Sequence, residues 1–255
     1  EMVIAAAEAG LPVFCQKPMA MCSYDCHRMI QAARAHGTRI QVGFVRRFDT
    51  DWGALKSVVE SGELGHPLVW RQTAGGVAPS RPFFLDRMEG GGPLIDGMVH
   101  NYDFACHCFA APVEVTSMPT RLRADTTALD TGTVLVRFER GDSIMVSWSW
   151  GLPEGTHALS GTDVLGPNGV LYFPGSFDAS RAEGQYDKQT QGAYLMVLRG
   201  GQQKVLPFPR QNMFRDEMLH FADWVSTGTD PLVQGDAGLR ATRIAELALS
   251  GGGLV

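Results

Sequence analysis

The sequence contains no run of about 18 consecutive apolar residues, so no segment of it reads as a membrane-spanning helix. It has no excess of basic charge either. Its 22 Lys and Arg stand against 27 Asp and Glu, a net charge of −5. A nucleic-acid-binding surface needs clustered Lys and Arg, and this balance argues against one. The five cysteines, Cys15, Cys22, Cys26, Cys106 and Cys108, are odd in number and thinly spread for a disulfide framework. They read as reduced thiols of a cytoplasmic protein. Neither Cys22, Cys26 and His27 nor Cys106-His107-Cys108 has a zinc spacing such as two C-x-x-C pairs, so no metal centre is expected. G-x-S-x-G, H-E-x-x-H and P-loop motifs are all missing. No facing pair of carboxylates of the glycosidase kind is selected locally. What remains is an ordinary globular mixture, 44% hydrophobic and 19% charged, which excludes a disordered chain.

The periodicities organise the chain. Residues 1–10 read as the end of a helix that starts without a cap, and Leu11 to Cys15 as a short buried strand. Ser23 is a plausible N-cap for a helix running to about His36, stopped by Gly37. Arg39 to Phe44 is a second strand. A helix between two strands implies a parallel pair with a right-handed crossover. Asp49 or Thr50 caps the next helix, which carries Trp52, Leu55, Val58 and Val59 and ends at Gly62. Pro67 to Thr73 is a strand, 74–92 a loop, and Pro93 opens a helix to about Phe109. From Val113 to about Leu206 the chain is mostly strands. In residues 143–150, Ile144, Val146, Trp148 and Trp150 share one face and alternate with Met145, Ser147 and Ser149, the mark of a half-buried antiparallel strand. Helices over about Asn212–Ser226 and Asp236–Ser250 close the chain. The fold class is therefore an α/β remnant of a doubly wound domain (1–45), followed by an α+β domain (46–255). The second has an open, mainly antiparallel sheet with helices on one face. The Trp148/Trp150 face needs a cover, either the domain's own helices or a second subunit.

Three residues could carry chemistry. Lys17 follows the first strand and precedes Pro18, at the carboxyl end where open α/β sheets bind ligands. A lysine there is also commonly a solvated surface residue. Asp96 and His100 are spaced i, i+4 on a predicted helix, so a carboxylate can orient an imidazole for general-base work. The alternative is a capping Asp and a satisfied histidine. Asn101 and Asp103 read as solvent-facing. Arg46, Arg47, Arg71, Arg81 and Arg87 flank the Gly-rich segment and suit a polyhydroxylated or anionic ligand, or the surface.

The segments AAAEAGLPVFCQKPMAM, QVGFVRRFDTDWGALKSVVESGELGHPLVWR, GGGPLIDGMVHNYDFACHCF and FRDEMLHFADWVSTGTDPLVQGDAGLRATRIAELAL together resemble, in order, the glucose–fructose oxidoreductase/inositol dehydrogenase (Gfo/Idh/MocA) family. The resemblance implies a Rossmann domain that holds NAD or NADP, and an α+β domain for substrate contact and homo-oligomer formation through the sheet face. It implies oxidation of a secondary alcohol of a sugar, inositol or related polyol. Lys17, Asp96 and His100 match the family's catalytic positions: His100 takes the hydroxyl proton, Asp96 orients the imidazole, and Lys17 polarises the same oxygen. Gln16, Lys17 and Pro18 match the motif beside the nicotinamide, with Gln16 where Glu is more usual. No G-x-G-x-x-G occurs, and only the tail of a dinucleotide-binding domain is recognisable. The expectation is an N-terminally truncated dehydrogenase that does not itself bind the dinucleotide tightly. The alternative is a non-catalytic ligand-binding or oligomerisation module.

Overall fold

The computed structural model describes residues 1–174, 193–209 and 211–255. The expected strands that fall in 175–192 lie outside the described residues. The chain opens with helix α1 (Met2–Glu8), strand β1 (Val13–Gln16), helix α2 (Ser23–Ala35) and strand β2 (Ile40–Gly43). β1 and β2 pair in parallel, Val13 opposite Ile40 and Gln16 opposite Gly43, as the crossover rule requires. Ser23 is not the cap of α2. Cys22 holds that position, and the Ser23 N–H and hydroxyl both donate to Glu246 of a later helix, at 2.9 and 2.5 Å. A tertiary carboxylate thus does the work that a local side chain was expected to do.

A 3-10 turn (Val45–Phe48) leads to helix α3 (Thr50–Ser61). Asp49 caps α3 by accepting from the Asp51 N–H, and Gly62, at φ 69°, ends it in the left-handed conformation that glycine adopts without strain. The rest builds a nine-stranded sheet from β3 (Val69–Gly75), β4 (Pro112–Thr120), β5 (Thr131–Phe138), β6 (Ser143–Ser149), β7 (Gly161–Gly166), β8 (Gly169–Tyr172), β9 (Ala193–Leu198), β10 (Gln203–Pro207) and β11 (Gly252–Leu254). Their order is β10-β9-β8-β7-β3-β6-β5-β4-β11. Every pairing is antiparallel except β3 with β6.

Helices α4 (Val99–Cys108) and α6 (Gly235–Leu249) lie on one face of this sheet, and α5 (Met213–Thr227) packs on the 45–48 turn. The covered face carries Trp70, Val134, Val136, Ile144, Val146, Val164 and Leu171, all fully buried. Trp52, Trp70 and Phe104 meet edge to face at 5.0–6.4 Å, a geometry aromatic pairs prefer. Helices α3 and α4 thus cover this face around Trp70, while at its far end half-buried Trp148 and buried Trp150 lie against Gly97, and Trp150 also against Phe84. The opposite face carries Leu135, Thr133, Met145 and Ser147 and is open.

Glu217 of α5 is a buried acid. It is only 3% exposed, and its Oε1 has no partner among the described residues. Burial pushes its carboxyl from 4.5 up to about 7. The folded state therefore holds a proton that the unfolded state releases near 4.5, so stability falls as pH rises from there to about 7. Glu217→Gln is expected to stabilise the protein by about 2 kcal/mol at pH 8 and by nothing measurable at pH 4, by denaturant unfolding. Equal effects at both pH values would show that the carboxyl is not titrating in the fold.

Candidate active site

The site forms where the small parallel sheet meets the helices on the large one. Lys17 follows β1 directly, and the Lys17–Pro18 peptide is cis. Its ammonium donates to the Asp96 Oδ1 and to the Asp96 backbone oxygen, both at 2.9 Å. The two side chains are 21% and 12% exposed, so this pair is only partly shielded from water. Two of the predicted residues, 79 positions apart, are therefore in direct contact.

The segment expected as one α-helix from Pro93 to Phe109 is in fact two. Pro93–Gly97 is a π turn, closed by the Met98 N–H on the Pro93 carbonyl at 2.7 Å, and α4 begins at Val99. Gly92 starts the turn at φ 85°, and a Cβ there would lie 2.4 Å from the Leu129 carbonyl oxygen, so glycine alone fits. A turn closed from i to i+5 is wider than an α turn, and such turns occur often at functional sites. The Asp96 carboxylate meets Lys17, and no hydrogen bond joins it to the His100 imidazole among the described residues.

His100 is partly buried, and its Nδ1 is a buried atom with no hydrogen-bond partner among the described residues. Burial, then the positive charges of Lys17 and Arg46, lower it from 6.5 to about 3. The imidazole is neutral at any ordinary pH, as a proton acceptor must be. Among the described residues its ring neighbour is Phe44, edge to face with centroids 6.1 Å apart.

Two expectations are overturned here. Asn101 and Asp103 do not face solvent; each is 1% exposed. Asn101 donates to Gln72 Oε1 at 2.6 Å. Asp103 is held by Arg47 through two bonds, at 2.8 and 2.7 Å, with Arg47 only 7% exposed. A third Arg47 N–H points at His107 Nδ1 at 2.9 Å. Arg47 is thus an interior residue, whereas Arg71 sits on the open sheet face, paired with Asp163. Arg46 pairs with Asp49 at 2.6 Å and lies over Trp52. Arg81 and Arg87 lie in the exposed loop after β3, with no ion pair among the described residues.

Gln16 is exposed at the end of β1, beside Lys17 and Pro18. An exposed amide and a partly accessible ammonium at a parallel strand's carboxyl end suit the nicotinamide end of a dinucleotide. The 255 residues hold no glycine-rich turn for its pyrophosphate. The fit therefore extends to the nicotinamide end alone.

The class of the protein is set by its likeness to known oxidoreductases. The family model described as "GFO/IDH/MocA C-terminal domain" matches residues 52–172, and the "Oxidoreductase family, NAD-binding Rossmann fold" model matches residues 1–44. The chain belongs to the Gfo/Idh/MocA family of oxidoreductases. It is 27% identical to the uncharacterized oxidoreductase YrbE of Bacillus subtilis, across 97% of this chain and 71% of that protein. It is 28% identical to the myo-inositol 2-dehydrogenase of Thermotoga maritima, across 94% of this chain and 70% of that protein. Its fold matches the aldose-aldose oxidoreductase of Caulobacter crescentus complexed with glycerol. There the TM-score is 0.81 at 24% identity, covering all of this chain and 75% of that one.

The low value of His100 has a cost. The unfolded chain takes up this proton near 6.5 and the folded chain only near 3, so stability falls as pH drops through that window. Imidazole NMR of the 255-residue chain is expected to find His100 unprotonated at pH 5. Lys17→Met, which removes one of the two depressing charges, is expected to move its midpoint up towards 6.5. A wild-type midpoint already near 6.5 would mean that solvent reaches the ring.

Proposed function

We propose that the chain carries the substrate-side machinery of an NAD(P)-dependent dehydrogenase that oxidises a secondary alcohol of a sugar, inositol or related polyol. The observation that carries this reading is the Lys17–Asp96 pair set beside a histidine that cannot hold a proton at neutral pH. The resemblance to a myo-inositol 2-dehydrogenase supports the substrate class.

When bound, the nicotinamide supplies a hydride acceptor. This chain's residues supply the rest. Lys17 places a positive charge where alkoxide character develops on the reacting oxygen, which favours the transition state more than the neutral alcohol. His100, neutral and partly buried, takes the hydroxyl proton. Asp96 fixes the ammonium through its side chain and its backbone carbonyl together, so the charge is aimed before substrate arrives. In reduction of the ketone the same groups return proton and charge stabilisation in reverse.

In a form of the protein that carries a complete dinucleotide-binding domain, His100→Ala is expected to lower kcat roughly 10²- to 10⁴-fold, the usual contribution of a general base. Full activity in that variant would end this reading. The open sheet face, with Leu135 43% and Met118 76% exposed, supports association of two copies through it. Leu135→Arg is then expected to shift sedimentation from an oligomer to a monomer, and a monomeric parent would remove the proposal.

A further inference from the structure

His100 has lost the partner that the sequence offered it. Asp96 is engaged by Lys17, and the Nδ1 of His100 bonds to nothing among the described residues. An imidazole whose Nδ1 bonds to nothing is free to turn about χ2 unless packing stops it. The orientation of its reactive nitrogen must therefore come from apolar contact, and the ring beside it is Phe44. Phe44 is fully buried and stands edge to face with the imidazole.

Phe44 is in turn held on both sides. Its N–H donates to the Val42 carbonyl at 2.8 Å in a three-residue turn as β2 ends. Its carbonyl accepts from the Arg47 N–H at 2.9 Å as the 3-10 turn begins. Arg47 lies three residues after Phe44. Asp103 lies three residues after His100, one turn further along α4 and on the same side of it. The 42–48 turn and α4 are therefore joined by two rungs with matching spacing, Phe44 on His100 and Arg47 on Asp103. The second rung is the stiff one. It is a two-bond guanidinium–carboxylate fork, buried on both sides, with His107 as a further acceptor.

We propose that Arg47 and Asp103 are positioning residues for His100, acting through Phe44, and that this aromatic edge takes the orienting role a carboxylate would otherwise play. This rests on His100 being the base of the proposed reaction, yet it concerns a geometry that exists before any substrate binds. The charged groups facing His100 are Lys17 and Arg46, and neither rung removes them.

The test is made on the 255-residue chain with ¹⁵N-labelled histidine, reading the tautomer, ring-current shift and titration of His100. His66 and His36, on other elements, serve as internal references. Arg47→Met combined with Asp103→Leu replaces the buried fork by an apolar pair of similar bulk, an exchange that folds commonly tolerate. The ring-current shift of His100 is expected to fall by half or more and its tautomers to mix, with His66 and His36 unmoved. A folded double variant with unchanged His100 signals would overturn the proposal. Should that variant not fold, Phe44→Leu decides, because it leaves the fork intact. Tautomer mixing at His100 with Arg47 and Asp103 still paired supports the proposal, and a single unchanged tautomer refutes it. In a form with a complete dinucleotide-binding domain, Phe44→Leu is expected to lower kcat roughly tenfold or more with KM little changed, the pattern of a misaimed base. None of the NMR outcomes needs turnover. Failure of the positioning proposal is therefore seen separately from failure of the dehydrogenase reading, which His100→Ala tests.

Discussion

A carboxylate removed from water is tolerable only with a close, well-aligned partner. Asp103 is such a carboxylate, and burial alone pushes its carboxyl above the ordinary range while Arg47 pulls it back. Leaving either partner alone would cost about 3–5 kcal/mol. The 42–48 turn therefore has to reach α4 in the one position where the guanidinium meets the carboxylate. That requirement joins the end of the parallel strand pair to the helix bearing His100. It also brings Arg46, one residue earlier, close enough for its charge to bear on the imidazole. The placement of the acid–base group follows from a structural ion pair that itself touches no reactive atom.

The distribution of charge within the site follows from the same arrangement. With two cations near it and little water, His100 gains nothing from a proton and stays a base. Lys17 keeps its counter-ion in Asp96, so the ammonium is not left bare in a partly shielded place. An Asp96–His100 bond would have raised the basicity of the imidazole but left Lys17 without its partner. The wide Pro93–Gly97 turn carries Asp96 in the first of these arrangements, with its carboxylate and its backbone carbonyl both on Lys17.

Much of the fold was legible because it rests on local rules. The alternation of residues 143–150 marked β6 and its buried face, Asp49 and Gly62 bounded α3 as caps, and the strand–helix–strand run gave the parallel pair. Lys17, Asp96 and His100 stood out by residue type and spacing. What the sequence hid was set by contacts between distant segments. An α turn and a π turn of the same five residues differ in which carbonyl an N–H reaches, and here the approach of Gly92 to Leu129 contributes to that choice. Ser23 looked like a cap because Glu246, 223 residues away, is invisible to a local reading. Asp103 and Arg47 looked solvated because a polar residue next to a helix usually is. The parallel pairing of β3 with β6 leaves no trace in alternation, which reports a strand's faces but not its neighbours.

Lys17 comes from one sheet, and Asp96 and His100 from the Pro93–Gly97 turn and from α4 on the other, so their placement depends on how the two sheets are braced. α6 is the element that touches both. It packs on α2 and β2 on one side and on α4 and β4 on the other, with a surface of small residues, Ala237, Gly238, Ala241, Ala245 and Ala248. Small side chains allow close approach. A Cβ on Gly238 would lie 2.7 Å from the Met19 sulfur and 3.1 Å from Val42, so the helix rests almost directly on the chain two residues beyond Lys17. The Glu246 bonds to the start of α2 add a polar fastening a little over two turns further along. An ion pair of 2.9 Å tolerates little displacement, and a helix fitted against both sheets is what keeps Lys17 within reach of Asp96.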